Sequence, residues 1–155
     1  MHKYFYVSGF LYHLATRQIL LHQSNLNNNP LSTWNIFSGI SSKGEDAQTA
    51  FRRIIYERVK IRLEADCLFP VYDYFYNALK KINYVFYAEV KKLYTFPLLH
   101  AGVFSWFTFK STRKLAFSDQ VKHDVLISER VINAQLRSRE PIILSFPKQY
   151  PKVFY

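Results

Sequence analysis

The chain has 155 residues, enough for one domain with a hydrophobic core. Hydrophobic residues make up 49% of it, which excludes a disordered chain, and no apolar run approaches the ~20 residues of a membrane helix. Lys and Arg outnumber Asp and Glu by 21 to 11, a net charge of +10, so the surrounding field draws anions: nucleotides, RNA or an acidic surface.

From the N-terminus, residues 3–13 (KYFYVSGFLYH) read as a β-branched and aromatic strand, bulged at Gly9. The segment is broken by His13 and followed by Arg17, so it is not a signal peptide. Residues 17–23 give a second strand, and NLNNNPLST (25–33) is a turn-rich loop. TWNIFSGI (33–40) returns as one short strand. A helix is expected over Asp46–Lys60, with Glu45 and Asp46 at its positive end. Its apolar stripe is Ala47, Ala50, Phe51, Ile54, Ile55 and Val59.

Two further strands, within 65–79 and 82–93, flank the polar turn ALKKIN. Residues 103–109 form another. Ser118 or Asp119 caps a second helix reaching about Gln135. The tail, with three prolines, has room for one short strand but no helix. Cys67 is the single cysteine; it excludes an internal disulfide, fits a reducing, cytoplasmic location and is expected to be a small buried hydrophobe. Strands, helix, strands, helix is an α+β order, a mixed sheet covered by helices in one domain spanning 1–155. Residues 139–155 form a C-terminal extension that packs on its own sheet or on a second copy, the latter giving a homodimer.

Residues 39–61 (GISSKGEDAQTAFRRIIYERVKI) carry a more specific signal. Their spacing resembles the Nudix box, G-x5-E-x7-R-E-U-x-E-E-x-G-U, where U is bulky and aliphatic. Gly39, Glu45, Arg53, Ile55, Glu57 and Ile61 fall on box positions. Gly44-Glu45 matches the usual Gly-Glu pair, and Trp34 stands where the family often has a tryptophan. Three positions depart: Ile54 and Arg58 replace glutamates, and Lys60 replaces the late glycine.

The resemblance implies the Nudix fold, an α/β/α sandwich, and hydrolysis of a nucleoside diphosphate linked to another moiety with Mg or Mn. It implies a structural role for Gly44, Glu45 and Arg53, and substrate contacts at Gly39, Lys43 and Trp34. The family's metal cradle corresponds to positions 54, 57 and 58, which share one side of a helix. Here that cradle reads Ile, Glu, Arg, leaving Glu57 as the surviving metal candidate, and Arg58 is a fixed positive charge suited to a phosphate. Thr95–Phe109 contains no acid, so His100 is its only candidate base. The expectation is a hydrolase-like protein with metal-dependent catalysis weakened or lost; the alternative is a non-catalytic nucleotide-binding or protein-interaction module. No aromatic RNP pattern is visible, which disfavours RNA.

Overall fold

The computed structural model describes residues 3–23, 33–96 and 102–139. The elements run β1 (Tyr6–His13), β2 (Gln18–Gln23), β3 (Trp34–Asn35), β4 (Phe37–Ile40), α1 (Ala47–Val59), β5 (Leu68–Tyr76), β6 (Lys81–Val90), β7 (Val103–Thr108), α2 (Phe109–Thr112) and α3 (Asp119–Arg139). They form a mixed sheet in the order β3-β2-β1-β6-β5, with β4 on β1 and β7 on β2. β1 is its axis. One side pairs in parallel with β6 from Tyr6↔Asn83 to His13↔Val90. The other side is shared antiparallel by β4, opposite Tyr6–Gly9, and β2, opposite Tyr12–His13.

Alternation along the strands sends successive side chains to opposite faces. Val7, Leu11, Leu20 and Phe86 join Phe51, Ile54 and Ile55 of α1 in one core. Phe10, Tyr12, Ile19, Leu21 and Tyr87 join Val125 and Ile132 of α3 in another. Helix, sheet, helix is thus the layering that the apolar stripes of α1 and α3 require, and the α+β expectation holds.

Helix α1 stands where its stripe predicts. Asp46 caps it by accepting the Thr49 N–H at 2.8 Å. It ends at Lys60, whose φ of 59° is left-handed and whose N–H reaches the Tyr56 carbonyl at 2.9 Å. A glycine adopts that conformation without the side-chain clash that costs other residues ~1–2 kcal/mol. Lys60→Gly is therefore expected to stabilise the fold by about 1 kcal/mol, read as a raised urea midpoint; an unchanged or lowered midpoint contradicts this account.

Four sequence expectations change. β1 has no bulge at Gly9: its ladder with β6 continues in register there, and the irregularity lies between Pro70 and Tyr72 of β5. Pro70 has no N–H to donate to a ladder. The strand over 33–40 is split at Ile36, whose N–H is taken by the Asn35 side chain at 2.9 Å instead of a neighbouring strand. α3 runs beyond Gln135 to Arg139, whose guanidinium pairs with Glu89 and sits 4.9 Å from the Phe69 ring centre. Cys67 is half-buried rather than buried. Its thiol donates to the Glu64 carbonyl at 2.9 Å, and burial holds its pKa above the ordinary value, so it is a poor nucleophile. The loop at 25–32, His100 and the tail from 140 lie outside the described residues.

Candidate functional site

The loop between β4 and α1 is held by one ionic fork. Arg53 donates from Nε to Glu45 Oε2 at 2.8 Å and from Nη2 to Glu45 Oε1 at 2.9 Å. The same Nη2 donates to the Ile40 carbonyl at 2.9 Å, and Glu45 Oε1 accepts the Ser42 N–H. One guanidinium thereby ties the end of β4, the turn and the second turn of α1 together. The Arg53 hydrogen bonds hold the Glu45 carboxyl below its ordinary pKa, and Glu45 in turn raises that of Arg53. Gly44 turns the loop at a φ of 81°, and Lys43 is exposed beside it.

The helix face behind this loop brings together residues 54, 57 and 58. Ile54 is 4% exposed and belongs to the α1-side core. It lies against Gly39 so closely that a Cβ there would meet Ile54 Cδ1 at 2.6 Å. Glu57 is solvent-facing, with both carboxylate oxygens 3.3 Å from Arg53 Nη1. Arg58 is exposed and enters no ion pair among the described residues.

Magnesium and manganese prefer oxygen donors, commonly one or two free carboxylates with substrate phosphates and waters. The described donor set does not fit that need: one carboxylate already shared with Arg53, a buried hydrocarbon and a cation. No three His, Cys, Asp or Glu side chains converge among the described residues.

Two features escape a sequence reading. His22 of β2 is 7% exposed and packs against the rings of Phe37 and Phe104, with centroids at 5.0 and 6.1 Å. Its Nε2 lies 3.1 Å from the Ile36 carbonyl, which only an N–H donor satisfies. Burial lowers its pKa, and the charge of Arg58 lowers it further, so the imidazole is neutral at pH 7 with Nδ1 as an acceptor. A lone histidine in QILLHQ carries no sign of this; the position depends on β2, β4 and β7 meeting.

The second is a polar cavity of about 300 Å³ on the α3 side, bordered by Ser8, Ser38, Tyr74, Asn83 and Asp124. Asp124, 3% exposed, accepts from Tyr72 and Tyr74 hydroxyls and from Gln120 Nε2. Asn83 donates to the Tyr74 hydroxyl at 2.8 Å and accepts from Ser8 at 3.1 Å. Burial holds the Asp124 carboxyl above its ordinary pKa and, with the Asp124 bond, raises that of Tyr72. The period-two run Tyr72, Tyr74, Tyr76 is its trace in the sequence. Ser38 connects the cavity to Gly39 and the loop. Trp34 is half-buried on the same layer, edge-on to Phe107 at 4.8 Å, with its backbone N–H on the Ala116 carbonyl.

No protein-family model matches the chain, and no curated protein matches its sequence. Solved structures do. A mutT/nudix family protein from Listeria innocua is 16% identical over 89% of this chain and 99% of its own, with a TM-score of 0.68. The NUDIX domain of Shewanella oneidensis NrtR, solved with ADP ribose, is 10% identical over 85% and 90%, with a TM-score of 0.64. An Ap4A hydrolase from C. elegans is 20% identical over 86% and 98%, with a TM-score of 0.61. Matched over nearly the whole of these proteins, with its loop and helix fastened by Glu45 and Arg53, the chain has the Nudix fold.

Proposed function

We propose that the chain is a Nudix-hydrolase-like protein whose cleft receives the diphosphate of a nucleotide-like anion, with metal-dependent hydrolysis weakened or lost. One observation carries this: the scaffold fork Glu45–Arg53 is intact, while buried Ile54 and exposed Arg58 occupy two of the three positions of the resembled metal cradle. Arg58 supplies the charge compensation that a metal would give, as a donor to phosphate oxygens. Neutral His22 adds an acceptor nearby, and Gly39 and Lys43 line the approach. The polar cavity beyond Ser38 takes the uncharged part of the ligand against Asn83 and the tyrosines.

ADP-ribose is a suitable probe because its diphosphate joins two polar groups. Titration calorimetry in EDTA is expected to show binding of ADP-ribose, and Arg58→Gln to weaken it about tenfold or more, the value of a hydrogen bond to a charged group. Binding that vanishes in EDTA and returns with magnesium, or a variant that binds as the native chain does, defeats the reading.

A further inference from the structure

The face of α1 turned away from the cleft carries a second concentration of charge. A groove of about 450 Å³ lies there, walled by Arg52, Tyr56, Arg62 and Glu64 and bordered by Arg53, whose charge is already taken by Glu45 and Glu57. Arg52 is fixed by its Nε–H on the Leu63 carbonyl at 2.7 Å. Tyr56 gathers two more cations: Lys60 Nζ stands 5.4 Å and the Arg62 guanidinium carbon 5.1 Å from its ring centre. Arg62, Leu63 and Glu64 also wall an adjoining hollow of about 530 Å³ that reaches Lys91, Tyr94 and Leu14. There the arrangement recurs, with Lys92 Nζ 5.4 Å from the Tyr94 ring centre.

None of Arg52, Lys60, Arg62, Lys91 and Lys92 enters an ion pair among the described residues. The carboxylates of Glu64 and Asp66 offset them only in part, and Glu89 is already paired with Arg139. Cations left unpaired and repeated along two joined hollows suit a chain of phosphates better than one compact diphosphate. Exposed Tyr56 and Leu14, at 39% and 41%, add flat and apolar surface that an inorganic polyphosphate has no use for and that bases can cover.

We propose that the outer face of α1, from Arg52 through Tyr56, Lys60 and Arg62 to Lys91 and Lys92, binds the backbone of a single-stranded nucleic acid. The site borders the cleft's scaffold at Arg53 but does not rest on the cleft's function. It carries no RNP-type signature because Tyr56 lies on a helix and Tyr94 beyond the end of β6, not on the face of a central strand.

The test is fluorescence anisotropy of a labelled twelve-nucleotide oligouridylate with the full chain, from 50 to 200 mM KCl. Paired Arg52→Gln and Arg62→Gln substitutions are expected to weaken binding about tenfold or more. They should also flatten the slope of log K against log salt by about 1.4, since each phosphate contact on a single strand contributes ~0.7. Paired Lys110→Gln and Lys114→Gln substitutions, on exposed lysines elsewhere, remove the same charge and should leave affinity within about twofold. ADP-ribose affinity should be unchanged in the arginine pair, and Arg58→Gln should leave oligonucleotide affinity within about twofold, so this site and the cleft fail separately. The proposal is overturned by no binding at 50 mM KCl, or by equal losses in the arginine and lysine pairs, which mean diffuse charge. Tighter binding of inorganic polyphosphate than of the oligonucleotide overturns the assignment to nucleic acid.

Discussion

Glutamate at positions 54 and 58 together is expected to give the chain a manganese or magnesium affinity well above that of the native protein. On the proposed reading, Arg58 occupies a ligand position of the metal cradle, beside the place of a dication. At ~4 Å and an effective dielectric of about 20, that charge repels the ion by several kcal/mol. Reversing it turns repulsion into attraction of similar size, and with Glu57 three carboxylates then share one side of α1. The substitution at 54 has a cost, because Ile54 is 4% exposed and packed against Gly39 in the core. A buried carboxylate without a partner destabilises, so the variant should melt well below the native chain when metal is withheld. Manganese should raise its melting temperature in proportion to site occupancy and leave that of the native chain unmoved. Arg58→Glu alone, which disturbs no packing, should fall between the two. Calorimetry beside thermal melts reads both effects. One tight manganese ion on the native chain would mean that Glu57 and groups outside the described residues suffice, and the metal-free reading of the cleft would be lost.

The parts of this site that were legible in the sequence are local ones. Asp46, the stripe from Ala47 to Val59 and the spacing of Glu45 to Arg53 are all fixed within one loop and one helix, so periodicity and capping located them to within a residue. His22 and the Ser8–Asn83–Tyr74–Asp124 network were not legible, because each unites residues from strands that pair only in the finished sheet. Burial decides their chemistry, and burial here is a long-range property. The outer face of α1 lies between these cases. Its arginines and lysines were visible as scattered charge; their neighbourhood around Tyr56 and Tyr94 was not. Gly9 shows why one residue type can mislead. A glycine inside a strand signals either a bulge or a close approach of another backbone, and only the register with β6 distinguishes them.

That close approach makes Gly9→Ala the most damaging small change the fold admits. Gly9 sits on the axial strand, opposite Phe37 on one side and Phe86 on the other. A Cβ built there would lie 2.0 Å from the Phe86 carbonyl oxygen and 2.9 Å from Phe51 Cε2. The first contact is with backbone, so no rotamer relieves it; β6 must move away from β1, and ladder bonds on both sides of Gly9 go with it. The φ of 157°, which L side chains rarely adopt, adds backbone strain to that clash. The clash adds to the loss of hydrogen bonds, and the expected cost is about 4 kcal/mol or more, a large share of the ~5–15 kcal/mol that stabilises a domain. Phe51 belongs to the box helix, so its displacement also pulls α1 from the sheet and loosens the Glu45–Arg53 fork. Gly44→Ala is the matched comparison. Gly44 has a φ of 81° but nothing within 4 Å of its Cβ position, so only the left-handed backbone penalty of ~1–2 kcal/mol applies. Urea denaturation of the two variants separates crowding from backbone strain. A Gly9→Ala midpoint no lower than that of Gly44→Ala would mean that β6 yields easily at Phe86 and that the β1–β6 contact is not what holds the box helix in place.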